Sequence, residues 1–200
     1  MPLHVDGWTD FLCPYSFLIT VGMGKLREEF NLDIRWRSYL LRPSGSPPLT
    51  RAERNAITAE HEKIVSVARE EHGLEVRPGP IGISSYPAHI AYQFARSHEL
   101  GAAFHAAVMN AYWEGAGSID SRDLLQTIAD AVGLNRQTLA SAWMDPALAA
   151  AVKKDVQTAT AIGIDGVPTL VFADTDRIAG AFPFKDLREM VAEICARYRA

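Results

Sequence analysis

Leu32, Ile34 and Trp36 alternate with Asp33, Arg35 and Arg37, and this period of two predicts a half-buried strand over residues 32–39. A shorter run, 3–8, predicts a strand before it, and the pattern between them, from Phe17 towards Phe30, is helical. Strand, helix, strand opens a βαβ unit. Residues 42–48, with Pro43, Gly45, Pro47 and Pro48, then break regular structure, and a domain boundary is expected there. From Ala52 to Trp143 the pattern is helical. Ile57, Ile64, Val65 and Ala68 mark one face, stopped at Gly73. Beyond a Pro/Gly-rich loop at 77–82, Ile90, Ala91, Phe94 and Ala95 form a second stripe, and Phe104, Val108 and Tyr112 a third. Asp120 reads as an N-cap with Asp123 as its acidic partner, ahead of Leu124, Leu125, Ile128 and Val132 and a stop at Gly133. Asp145-Pro146 opens another helix, with Leu148, Val152, Val156 and Ala159 on one face. After Gly163, Leu170-Val171-Phe172 suits a buried strand and 177–180 a last strand. Phe184, Leu187, Val191, Ile194 and Tyr198 stripe a final helix.

The order is therefore βαβ, a helical block, a helix, then ββα. That is an α/β chain, a thioredoxin-like fold interrupted by an all-α insertion. Residues 1–42 and 146–200 would form the thioredoxin-like domain and 43–145 the insertion.

Chemistry concentrates between the first strand and the first helix, in Asp10-Phe11-Leu12-Cys13-Pro14-Tyr15-Ser16-Phe17. Pro14 suits the first helical position, where a missing N–H is harmless and its φ fits the helix. Cys13 then immediately precedes the helix, facing unpaired N–H groups and the positive end of the dipole, so a thiolate with a lowered pKa is expected. Cys195 falls on the apolar stripe of the last helix, four residues past Val191, and reads as a buried, inert thiol. Two cysteines cannot make a disulfide framework, which fits a reducing compartment.

Composition narrows the field rather than choosing within it. At 48% hydrophobic and 22% charged, 200 residues can bury a substantial core, and a net charge of −4 offers no electrostatic reason to bind nucleic acid or an anionic membrane. No apolar run approaches membrane-spanning length, and the first residues have neither a basic nor an apolar leader region, so a cytoplasmic location is expected. His61 and His72 lack metal-ligand spacing, and neither zinc nor iron is expected. His89 reads as a hydrogen-bonded structural histidine, Trp113 and Trp143 as core aromatics, and 115–117 as a turn too sparse to cradle phosphate.

Cys13-Pro14-Tyr15-Ser16 resembles the Cys-Pro-x-Cys site of DsbA-like oxidoreductases, with Ser16 in place of the second cysteine. It also resembles the Ser-Pro-Tyr-Ser of kappa-class glutathione transferases and 2-hydroxychromene-2-carboxylate isomerases, with Cys13 in place of the first serine. Val167-Pro168-Thr169, placed after the helix opened by Pro146 and before the ββα unit, matches the loop that in such proteins carries a cis-proline facing the active cysteine. Trp36 with Pro43, Ala88-His89, and the stretch 163–169 resemble the FrnE-like branch of DsbA proteins.

The resemblance implies catalytic roles for Cys13, Ser16 and Pro168 and substrate contacts at Pro14, Tyr15, Val167 and Thr169. Ser16 cannot form a disulfide, so a two-thiol cycle within the motif is excluded and single-thiol chemistry remains. The leading expectation is a thiol–disulfide oxidoreductase or isomerase acting on a thiol- or disulfide-bearing peptide or small molecule. No cofactor is expected to be tightly bound, with glutathione a candidate co-substrate. A glutathione-dependent isomerase or transferase is the alternative. Those relatives carry an acidic–basic pair after the last strand's glycine, where this chain has Gly180-Ala181-Phe182-Pro183. A peptide-binding, chaperone-like module without catalysis is the third reading.

Overall fold

In the computed structural model, which describes every residue except Ser44, Ala116 and Ala200, four strands form one sheet. β1 (Leu3–Thr9) lies parallel to β2 (Leu32–Ser38) and antiparallel to β3 (Thr169–Phe172), which pairs antiparallel with the edge strand β4 (Asp176–Ala179). The break expected at 42–48 and the turn at 115–117 each contain one residue outside the described set. Gly7 in β1 sits opposite Trp36. A Cβ there would stand 2.6 Å from the Trp36 ring and 3.1 Å from Leu170, so only a bare α-carbon lets that indole lie across the strand.

α1 (Pro14–Glu29) connects β1 to β2, and α7 (Pro146–Ala161) leads back into β3. Between β2 and α7 the chain is helical: α2 (Arg51–His72), α3 (Tyr86–Ser97), α4 (Gly101–Trp113), α5 (Arg122–Ala131) and α6 (Arg136–Ala142). α8 (Phe184–Arg199) closes the chain. The caps are mostly those the composition calls for. Thr50 and Glu53 make a reciprocal capping box on α2, Gly73 ends it at φ 66°, and Asp145 caps α7 through Ala147 N. The N-cap of α5 differs from expectation. Ser121, not Asp120, accepts from Leu124 N, because Asp120 instead takes the Ser118 hydroxyl.

One face of the sheet and the helical block share a continuous core that runs from Val5, Leu170 and Phe172 through Phe11, Phe17 and Trp36 to Phe104, Val108 and Trp113. The opposite face is covered differently. Trp8 and Val171 pack with Ala159 and Ile164 in a small second cluster beneath α7. Polar groups seal it: Asp155, 1% exposed, accepts from Arg37 Nη1 at 3.0 Å, Ser38 N at 3.1 Å and Gln93 Nε2 at 2.7 Å. Arg37 is at the same time bidentate on Asp6, at 2.8 and 2.9 Å, and the Trp8 indole N–H donates to the Asp155 carbonyl at 3.0 Å. A buried carboxylate is tolerable only when its lone pairs are filled this way. The network fixes α7 against β1, β2 and α3, and α7 in turn sets where residues 162–168 emerge.

Candidate active site

Backbone geometry puts the sulfur at the head of α1. Cys13 is the N-cap, extended at φ −87° and ψ 117°, and Pro14 occupies the first turn. The Cys13 Sγ accepts from Ser16 N at 3.4 Å and donates to the Val167 carbonyl at 3.5 Å. The Val167–Pro168 peptide bond is cis. Residues separated by more than 150 positions in the chain thus meet across one thiol.

The expected low thiol pKa is not what this geometry produces. Cys13 is 4% exposed, and burial pushes its thiol up; the Ser16 hydroxyl and N–H pull it down without prevailing, and charge on Asp10 adds to the upward push. The helix N-terminus offers partial charges, whereas ionisation removes the sulfur's proton in a site with almost no water to solvate the product. The resting group at neutral pH is the thiol. Ser16 is fully buried, and its Oγ has no hydrogen-bond partner among the described residues. That hydroxyl nevertheless eases Cys13 ionisation. A thiolate would give it an acceptor.

Asp10 is the residue that sequence reasoning passed over. Fully buried at the end of β1, it accepts from Leu12 N at 2.9 Å, Leu41 N at 2.8 Å and the Ser85 hydroxyl at 3.1 Å, while its own carbonyl takes Cys13 N at 3.0 Å. It ties the cysteine loop to the segment after β2 and to the start of α3. Burial raises its carboxyl to about 6 against the pull of those three donors. The one sequence signal was a charge standing immediately before the apolar pair Phe11-Leu12.

The remaining candidates divide. Pro14 and Tyr15 follow Cys13 in sequence, and the Tyr15 hydroxyl donates to Glu60 on α2 and receives Lys63 Nζ at 3.3 Å, so it fastens the motif to the helical block. Thr169 is buried, and its hydroxyl is committed to the Gly166 carbonyl at 2.9 Å. Cys195 is 2% exposed on α8 within the main core. Trp113 is fully buried and donates to the Phe11 carbonyl at 3.1 Å, whereas Trp143 is only partly buried. Among the described residues no group of three or more His, Cys, Asp or Glu is placed to hold a metal ion, and no helix is long and apolar enough to cross a membrane.

The DsbA-like thioredoxin domain matches residues 4–192 of the sequence. The chain belongs to the DsbA-like thioredoxin family. A curated relative, the uncharacterized protein YwbO of Bacillus subtilis, is 24% identical over 88% of this chain and 89% of its own. A probable DsbA oxidoreductase of Streptomyces coelicolor superposes with a TM-score of 0.77 at 20% identity, covering 96% of this chain and 89% of that one. A 2-hydroxychromene-2-carboxylate isomerase superposes at 0.80 with 19% identity over 98% of both chains. The cytosolic disulfide reductase DsbM of Pseudomonas aeruginosa, solved with GSH, superposes at 0.74 with 18% identity over 99% and 100%. These likenesses establish the shared DsbA-like fold.

His89 in this DsbA-like chain is buried, 2% exposed, and packed at a tilt of 43° against Phe11 with ring centroids 4.7 Å apart. The expected hydrogen bond is missing: the Tyr39 backbone lies near the ring, but neither ring nitrogen meets hydrogen-bond geometry with a described residue. Burial therefore lowers its pKa to about 3. The unfolded chain protonates this ring near the ordinary value of 6.5 and the folded chain only near 3, so between those limits unfolding takes up a proton and stability falls as pH falls. Asp10 has the opposite sign. Its folded pKa of about 6 exceeds 3.8, so the folded state holds the extra proton in that window and this contribution is lost as pH rises through it. Replacing His89→Leu should reduce the acid-side slope of unfolding free energy, measured by urea titration between about pH 6.5 and 4, by roughly 1.4 kcal/mol per pH unit. An unchanged slope would place the acid sensitivity in other groups.

Proposed function

We propose that this protein catalyses thiol–disulfide exchange through Cys13 alone. The observation that carries the reading is the position of the Cys13 sulfur, held between Ser16 N and the Val167 carbonyl, with a hydroxyl rather than a thiol three residues on. A substrate chain laid along Val167 would take its carbonyl for strand-like pairing and free the Cys13 thiol from that bond. The thiol then loses its proton, with the Ser16 hydroxyl turning to the new thiolate, and the sulfur attacks a disulfide RS–SR. One S–S bond forms between Cys13 and one half, the original S–S bond breaks, and the other half leaves as RS⁻, to be protonated. Ser16 cannot displace the bound half, so a second thiol from outside, glutathione or a substrate thiol, must attack the mixed disulfide and regenerate Cys13. A reducing compartment such as the cytoplasm would supply that thiol.

A buried, protonated Cys13 also favours a second reading. An S–H that stays put is a hydrogen-bond donor, and it would suit the sulfur of a bound glutathione in an isomerase or transferase in which Cys13 never forms a covalent bond.

Ser16→Cys separates the two. Under the exchange reading, wild type reduces insulin disulfides poorly with dithiothreitol, and Ser16→Cys, which supplies the internal resolving thiol, raises that rate by roughly tenfold or more while shortening the life of the mixed disulfide. Intact-mass analysis after oxidised glutathione is added should show one adduct per wild-type chain, on Cys13. A folded wild type that forms no mixed disulfide with any disulfide offered would transfer support to the isomerase reading.

A further inference from the structure

Beside the motif, where Leu12 and Pro14 face α2, lies a cavity of about 370 Å³ that the exchange chemistry does not account for. Ile57 of α2 and Ile81 and Ile83 of the loop before α3 supply apolar walls. The polar side chains around it are nearly all spoken for. The Tyr112 hydroxyl donates to the Pro80 carbonyl at 3.1 Å and presents only its ring. Glu53 is held by the Thr50 N–H and hydroxyl, each at 2.7 Å, Glu60 by Tyr15 and Lys63, and Arg42 by the Pro47 carbonyl. His61 is the exception. It is 7% exposed, lines the cavity, and rests edge-on against Trp113 with centroids 5.2 Å apart. Its ring nitrogens have no hydrogen-bond partner among the described residues.

We infer that this cavity is a binding site for a small, uncharged aromatic molecule or group carrying one hydroxyl or carbonyl, with the His61 imidazole as the hydrogen-bond partner of that substituent. The volume falls in the range of small-molecule sites and suits a body of roughly a dozen non-hydrogen atoms. Aromatic and branched apolar walls favour a flat apolar body over an extended polar one. The charged residues of the lining, Glu53, Glu60 and Arg42, are each held by partners within the protein, so none is free to pair with the two carboxylates of glutathione. Burial keeps the His61 ring neutral at physiological pH, so one nitrogen donates and the other accepts, which matches a hydroxyl in either sense. Resting on the exchange reading, the inference goes further: because Leu12 and Pro14 flank both the cavity and the reactive sulfur, the bound body belongs to the sulfur compound presented to Cys13.

The test begins with 2-naphthol, whose own fluorescence reports binding to the whole chain. Saturable binding at one site per chain is expected. Ala56 is exposed and borders the cavity, so Ala56→Trp should fill it without disturbing the core and weaken 2-naphthol by more than about tenfold. His61→Phe should weaken 2-naphthol by roughly fivefold while leaving naphthalene binding unchanged, the signature of one lost hydrogen bond in an intact pocket. Absence of saturable binding, or equal affinity in Ala56→Trp, overturns the site. Equal weakening of both probes in His61→Phe overturns the role given to the imidazole. The link to Cys13 is read separately, from the rate of mixed-disulfide formation with the uncharged aromatic 2,2′-dipyridyl disulfide. Saturating 2-naphthol should slow that reaction several-fold and leave reaction with methyl methanethiosulfonate unaffected. Naphthol binding without any disulfide reactivity would sink the exchange reading and leave the cavity site standing. Disulfide reactivity indifferent to naphthol would do the reverse to the link.

Discussion

Cys13→Ala should reduce thiol–disulfide exchange to the rate of the uncatalysed reaction and abolish the adduct with oxidised glutathione, with the fold retained. The expectation follows from position rather than from an unusually acidic thiol. Cys13 is the described cysteine at a helix head beside Val167 and Pro168, whereas Cys195 is enclosed by α8 and the main core. Because burial raises the Cys13 thiol, its alkylation by iodoacetamide should have an apparent midpoint above that of a free cysteine and rise steeply only in alkaline solution. A midpoint near neutrality would mean that water reaches the sulfur in solution more freely than its 4% exposure implies. Cys13→Ala should leave intact any suppression of the aggregation of an unfolded client protein, if chains are bound independently of the thiol. Loss of any such suppression together with exchange, in a folded variant, would remove the chaperone-like reading.

Asp155→Ala should destabilise the protein by about 3–5 kcal/mol, the usual consequence of taking one partner from a buried ion pair. For a chain of this size that is a fall in melting temperature of very roughly 10 °C. Three donors lose their acceptor at once: Arg37 Nη1, Ser38 N and Gln93 Nε2. The Arg37 charge keeps its bidentate grip on Asp6, which limits the damage and makes the effect a loss of anchoring more than a loss of net charge balance. Removing both partners with apolar residues, Arg37→Leu with Asp155→Leu, should cost less than the sum of the single changes, because Asp155 is then not left buried without Arg37, although Asp6 still loses its bidentate partner. The thiol site provides a second readout. α7 sets the path into Val167 and Pro168, so Asp155→Ala should loosen the Val167 carbonyl from Cys13 and speed its alkylation below the unfolding temperature. A melting temperature within about 2 °C of wild type would show the network to be incidental to stability.

Hydrophobic period, turn residues and capping chemistry were enough to order the elements, because each acts over a few residues. The alternation from Leu32, the proline behind Cys13, Gly73 after α2 and Asp145-Pro146 before α7 all work locally, and the observed strands and helices follow them within a residue or two. The matched residues of the cysteine motif and the Val167-Pro168-Thr169 loop likewise carried the DsbA-like family on the sequence alone. What the chain could not declare were quantities that depend on who comes to lie beside whom. A helix N-terminus near Cys13 was legible, but the burial that reverses its effect on the thiol comes from segments far away in sequence. Arg37 looked like one more outward charge on an alternating strand; only the arrival of α7 turned it into the centre of a buried network. Asp10 carried no pattern beyond a charge standing before Phe11-Leu12, since its three donors come from Leu12, Leu41 and Ser85, two of them brought to it by the fold. His61 read as a histidine without metal-ligand spacing until α2 set it against Trp113 and an open cavity. Local interactions write themselves into neighbouring residues, whereas desolvation and long-range hydrogen bonding are properties of the assembled core, and those decided the chemistry of this site.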